Sequence, residues 1–141
     1  MASDYTLWSA STPTVDKGNA RKLHALGGAF TIATGSLALN KTTSLFKVPK
    51  GFVAVSIKGY ITDCDSNGSA ALVFDIGDAD DPNRLVAGST AGQAGGALTE
   101  ATATVIGVEY TAETEIVMTT TTAAATAAAG TLTFYIYGYF L

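Results

Sequence analysis

At 141 residues the chain is long enough for one hydrophobic core and too short for two; 48% apolar residues supply that core, and 14% charged residues leave a surface rich in Thr, Ser, Ala and Gly. A formal net charge of -4 excludes partners that must be held by neutralising phosphates, so nucleic acid is not expected. The lone cysteine, Cys64, excludes an internal disulfide, and no apolar stretch approaches the ~18 residues needed to span a bilayer, so neither a disulfide scaffold nor a membrane partner is expected.

Residues 1–27 hold Trp8, Pro13 and Gly18 without a sustained strand or helix period, which predicts an extended N-terminal arm ahead of a single domain over 28–141. A short helix around Asn19–Leu26 is the alternative there. Met1–Trp8 has neither a basic n-region nor a long apolar h-region, so synthesis and assembly in a cytoplasm are expected. Tyr5, Leu7 and Trp8 are costly to leave in water, and the arm should therefore lie against its own domain or a neighbouring subunit. Lys17, Arg21 and Lys22 make the arm basic and Lys41, Lys47, Lys50 and Lys58 follow, leaving the C-terminal half acidic, an asymmetry that steers docking on a charged partner.

From Phe30 onward short β-type runs alternate with Gly, Asn, Asp and Pro, the spacing of an antiparallel sandwich. Phe30–Thr34 and Ser44–Val48 are predicted strands, the second closed by the turn Val48-Pro-Lys-Gly51. Phe52–Thr62 follows, with Val53, Val55, Ile57 and Ile61 predicted on one face and Ser56, Lys58, Tyr60 and Thr62 on the other; Gly59 suggests a bulge or a close backbone approach. Asn67-Gly68 predicts a type I′ hairpin turn returning Ala70–Ile76 antiparallel to that strand, with Leu72, Phe74 and Ile76 inward.

Asn83–Gly88, Thr102–Tyr110 and Glu113–Thr120 are the next predicted strands, and Thr119–Gly130, nearly pure Thr and Ala, reads as a loop with extended ends. Thr131–Leu141 closes the chain with Leu132, Phe134, Ile136 and Phe140 on one face and Tyr135, Tyr137 and Tyr139 on the other. A strand apolar on one side and aromatic on the other predicts cover on both sides, because each tyrosine presents ~150–250 Å² and three in line form a patch of the size that marks an interaction surface. Either the arm of the same chain or another subunit could provide that cover.

Chemistry is poorly served. His24 is the only histidine and has no paired carboxylate in local sequence, so a nucleophile with an oriented base is not expected. Cys64 lies between Asp63 and Asp65, which should raise its pKa and suppress the thiolate. Asp63-Cys-Asp65-Ser-Asn67-Gly68 matches the first half of an EF-hand loop, but the twelfth position is Phe74 and the flanks read as strands. Asp63, Asp65 and Asn67, aided by Asp78, Asp80 and Asp81, remain the candidates for a looser Ca²⁺ turn, set against ordinary Asx-turn chemistry. Zinc is unsupported with one Cys and one His, and no cofactor and no catalytic residue are expected.

Three segments carry a resemblance: Leu45-Phe-Lys-Val-Pro-Lys-Gly51-Phe-Val-Ala-Val, then Phe74-Asp-Ile-Gly-Asp-Ala-Asp-Asp-Pro-Asn-Arg84-Leu-Val, then Thr131-Leu-Thr-Phe-Tyr-Ile-Tyr-Gly-Tyr. Over residues 44–141 the chain resembles the small β-rich virion proteins of tailed bacteriophages, in which a turn of the first kind opens the sandwich, an acidic loop follows a central strand and an aromatic strand ends the chain. The resemblance implies a jelly-roll-like, all-β capsid decoration or cement protein without enzymatic activity. Such proteins are commonly homotrimers on the capsid exterior, seated between subunits of the major capsid protein, with an arm reaching over them. Low charge, the tyrosine strand and the arm fit that role independently, which makes Trp8, Arg21, Lys22, Tyr135, Tyr137 and Tyr139 the candidate interface residues. The alternative is a tail, fibre or glycan-binding sandwich for host attachment, in which Trp8, Tyr60, Tyr135 and Tyr137 stack on sugars.

Overall fold

The structure is a computed structural model that describes residues 22–101 and 107–141. It is an all-β antiparallel sandwich, as the spacing of short runs predicts. The strands are β1 (His24–Ile32), β2 (Thr42–Val48), β3 (Phe52–Ile61), β4 (Val73–Gly77), β5 (Val86–Ser89), β6 (Gly96–Ala97), β7 (Val108–Glu109), β8 (Thr114–Thr122) and β9 (Gly130–Phe140). One sheet runs β1-β9-β3-β6, with β7 also paired to β3, and the other runs β2-β8-β4-β5. The sheet begins inside the stretch that reads as an arm: β1 opens at His24, and its register with β9 is unbroken from His24↔Gly138 to Ile32↔Gly130. Most of the predicted strand over Thr102–Tyr110 lies outside the described residues.

The predicted hairpin between Phe52–Thr62 and Ala70–Ile76 does not form. β3 belongs to one sheet and β4 to the other. Neither Asn67 nor Gly68 has the positive φ that a type I′ turn needs. The reason is Asp65, whose carboxylate accepts backbone N–H bonds from Asn67, Ala71 and Leu72 on one side and from Ala125 and Thr126 on the other. These bonds fold the segment across the end of the sandwich, and β4 is delivered to the opposite sheet.

The faces of β3 also differ from a simple alternation. The register with β9 slips between Ala54 and Ser56, so Val55 is the extra residue of a β-bulge. Phe52 and Ala54 point into the core before the slip, and Ile57 and Ile61 after it; Val53 lies on the outer face opposite Tyr139. In this stretch the Ile57 N–H donates to the Glu100 carboxylate at 3.1 Å.

Elsewhere the period of two is kept. Leu132, Phe134 and Ile136 of β9, Ile116 and Met118 of β8 and Phe74 and Ile76 of β4 are all buried between the sheets, with Leu72 at the entry to β4. Leu26, Ile32, Val48, Ile61 and Val86 complete the same core. Thr120 faces inward too, and its hydroxyl is satisfied by the Ser36 carbonyl at 2.7 Å.

Two of the predicted turns have a clear physical basis. The Phe52 N–H reaches the Pro49 carbonyl across Lys50 and Gly51, and Gly51 adopts the positive φ of 91° that the third position of a type II turn requires. In the acidic loop, Asp78 accepts the N–H groups of Asp80 and Asp81 and takes the Arg84 Nε at 2.7 Å. The loop folds so closely over Gly77 that a Cβ there would lie 2.2 Å from the Asp81 carbonyl oxygen.

Candidate assembly surface

The outer face of the β1-β9-β3 sheet is built around Tyr135, Tyr137 and Tyr139, which alternate with the buried Phe134, Ile136 and Gly138. Residues directly paired across antiparallel strands share a face. Tyr135 is therefore flanked by Gly27 and Lys58, Tyr137 by Ala25 and Ser56, and Tyr139 by Val53. Gly27 has φ of 142° and a Cβ there would sit 2.0 Å from the Phe134 carbonyl oxygen, so only glycine fits beside Tyr135. All three tyrosines are partly buried, and Tyr135 and Tyr137 have the small Gly27 and Ala25 as neighbours on β1. The Tyr135 and Tyr137 rings stack with centroids 6.4 Å apart and planes 21° from parallel.

Ala29, Thr31 and Thr133 extend this surface on one side, and Tyr60, at 53% exposure, and Ala97 extend it on the other. Among the described strand residues of this face only Lys58 and Glu109 carry charge. A broad, nearly neutral sheet face bearing tyrosines is suited to large contacts of low charge. The tyrosines named in the sequence are thus brought together in one ridge. Tyr60 and the Ala and Gly residues of β1 were absent from the expected interface; their membership follows from pairing with β9, which local sequence does not disclose. Lys22 is partly buried just before β1, while Trp8 and Arg21 lie outside the described residues.

The candidate chemical groups are dispersed. His24 is buried with its ring edge-on to Phe140, 5.0 Å between centroids. Cys64 is buried, and its pKa is raised, chiefly by that burial and further by the charge of Asp63, against the lowering effect of a hydrogen bond with Thr62. In the Asp63–Asn67 turn side-chain oxygens accept backbone N–H groups: Asp63 Oδ1 accepts the Asp65 N–H, Asn67 accepts the Ser69 N–H, and Asp65 accepts the five amides named above. Burial alone would raise the Asp65 pKa, but the N–H donors of Ala71, Thr126, Ala125 and Leu72 outweigh it and hold the carboxyl well below the usual carboxylate range. Among the described residues no group of three His, Cys, Asp or Glu side chains is placed to hold a metal ion.

On the opposite sheet a groove of about 480 Å³ is lined by Asp78, Asp80, Glu113, Glu115 and Val117. It gathers negative charge beside the hydroxyl-bearing Thr42, Thr114 and Thr119. Asp78 is already engaged there with Arg84, whose pKa is raised by that hydrogen bond.

Comparison with solved structures gives this geometry a context. The chain superposes on a chain of the cyanophage Pam1 capsid asymmetric unit with a TM-score of 0.75 at 18% identity, covering 96% of this chain and 98% of that one. It superposes on a chain of the capsid of Ralstonia phage GP4 with a TM-score of 0.72 at 25% identity, covering 99% and 96%. The fold is that of a phage capsid chain. In each case the match runs nearly end to end, so the whole sandwich is shared and not a common sub-motif. No protein-family model and no curated protein matches the sequence.

Proposed function

We propose that this chain is a non-enzymatic structural protein of a phage virion, a decoration or cement protein on the capsid exterior that stabilises the head by binding between subunits of the major capsid protein. The observation that carries this proposal is the end-to-end agreement of the fold with chains of two phage capsids. The nearly neutral tyrosine ridge supports it, because a face of this kind is what a protein buried in a large assembly presents.

In this proposal the ridge of Tyr135, Tyr137 and Tyr139 joins copies of the chain into a homotrimer, and the arm with Trp8, Arg21 and Lys22 grips the neighbouring shell. Several modest contacts made at once add through effective concentration, so no single contact need be strong. Assembly takes place in the host cytoplasm. A mass-spectrometric census of purified virions tests the role: the expected result is a fixed copy number stoichiometric with the main shell protein. Absence from purified heads, or a handful of copies per particle, contradicts it and favours a tail or attachment component.

A further inference from the structure

The loop pinned by Asp65 carries a chemically unstable pair that the assembly surface does not use. Asn19, Asn40, Asn67 and Asn83 are the asparagines of the chain, and only Asn67 precedes a glycine. Asn67 and Gly68 are both exposed, and a Cβ placed on Gly68 would meet nothing within 4 Å, so the pair stands in open solvent. The Asn67 side chain is held at both ends of its amide. Its Oδ1 accepts the Ser69 N–H at 2.8 Å, and its Nδ2 donates to the Thr126 Oγ1 at 2.9 Å.

We propose that Asn67-Gly68 is a site of spontaneous deamidation in the folded protein, assisted by the Ser69 N–H and the Thr126 hydroxyl. Hydroxide takes the Gly68 amide proton, and that nitrogen bonds to the Asn67 Cγ while the carbonyl electron pair moves onto Oδ1. The Ser69 N–H already points at the oxygen on which this charge gathers, as a fixed donor should. The pair then returns, the Cγ–Nδ2 bond breaks, and Nδ2 leaves as ammonia with a proton that water supplies, restoring the hydroxide; the Thr126 hydroxyl, which accepts from Nδ2 in the resting loop, relays that proton once its O–H turns toward the leaving nitrogen. One water opens the cyclic imide at either carbonyl, restoring the backbone N–H and giving aspartate or isoaspartate.

The product carries one further negative charge beside Asp63 and Asp65, and isoaspartate also inserts a methylene into the backbone of the pinned loop. Thr126 and the Ser69 N–H act here as positioning groups. Asn40 and Asn83 precede Lys41 and Arg84, residues that carry a side chain where Gly68 has none, and they serve as internal controls.

The test is to incubate the folded full-length protein at mildly alkaline pH and map peptides by mass spectrometry with an isoaspartate assay. Conversion is expected at Asn67 well ahead of Asn40 and Asn83, with Gly68→Ala slowing it roughly tenfold or more by crowding, and Thr126→Val slowing it roughly tenfold through loss of the proton relay. Gly68 has no positive φ and open space around it, so Gly68→Ala keeps the fold. An unchanged Asn67 in the folded protein, while the urea-unfolded chain converts, overturns the proposal. So does a Thr126→Val variant that converts at the wild-type rate.

Discussion

Asp65 is the residue on which one end of the sandwich depends. It is a buried carboxylate whose charge is met by backbone amides from two loops sixty residues apart in sequence. Its folded pKa lies below the ordinary value, so its contribution is fully present above about pH 4, the unfolded value, and is lost as pH falls toward the folded pKa. Thermal unfolding followed against pH should therefore show Tm falling on the acid side, and Asp65→Asn should flatten that limb while lowering Tm at neutral pH. An acid limb unchanged by the substitution contradicts this account. Tyr110 presents the opposite case. Its hydroxyl is buried with no hydrogen-bond partner among the described residues, and burial, followed by the charge of Asp78, pushes its pKa up to about 12. An unsatisfied buried polar group costs about 1–3 kcal/mol, so Tyr110→Phe should raise stability by about 1 kcal/mol in denaturant titration.

At the scale of the strand, β9 is the most fully specified element, and its two faces were legible in the sequence because an unbroken alternation of apolar and aromatic residues leaves one possible orientation. β3 was legible as a strand but not in its faces, since the bulge at Val55 reverses the alternation midway and Val, Ala and Ile are acceptable on either side. The false hairpin has a similar cause. Asn-Gly is a local signal, and it was outweighed by Asp65, whose partners Ala125 and Thr126 no local window contains. The first part of β1, ahead of the predicted strand at Phe30, was hidden because Gly27, Gly28 and small alanines lack strand propensity; at Gly27 the reason for the glycine is the close approach to β9. Gly27→Ala should consequently destabilise the protein by more than about 1 kcal/mol, since the added Cβ meets backbone and the φ is unfavourable. Gly35→Ala, with open space around it, should change stability by less than about 0.5 kcal/mol. Equal effects at the two positions, measured by urea unfolding, would remove the packing explanation.

For the whole molecule the sequence conveyed the class of fold and the tyrosine strand. It could not convey that Tyr60, Ala25 and Ala29 join the ridge, because sheet order is set by long-range pairing. The ridge has little charge, so contacts through it should be nearly insensitive to salt, while contacts through the proposed arm, with Lys17, Arg21 and Lys22, should weaken as salt rises. Paired substitutions Tyr135→Ser and Tyr137→Ser point away from the core, and should preserve Tm within a few degrees while weakening self-association at least about tenfold, as loss of aromatic anchors does. Light scattering together with thermal melts separates these two effects.

The most direct measurement is hydroxyl-radical footprinting of Tyr135, Tyr137 and Tyr139 in the isolated, diluted protein and in intact virions. Strong protection of all three side chains in the particle, lost on dilution of the free protein, is the predicted outcome. Equal labelling in both states would mean that nothing covers the ridge in the head, and the proposed assembly role would not stand.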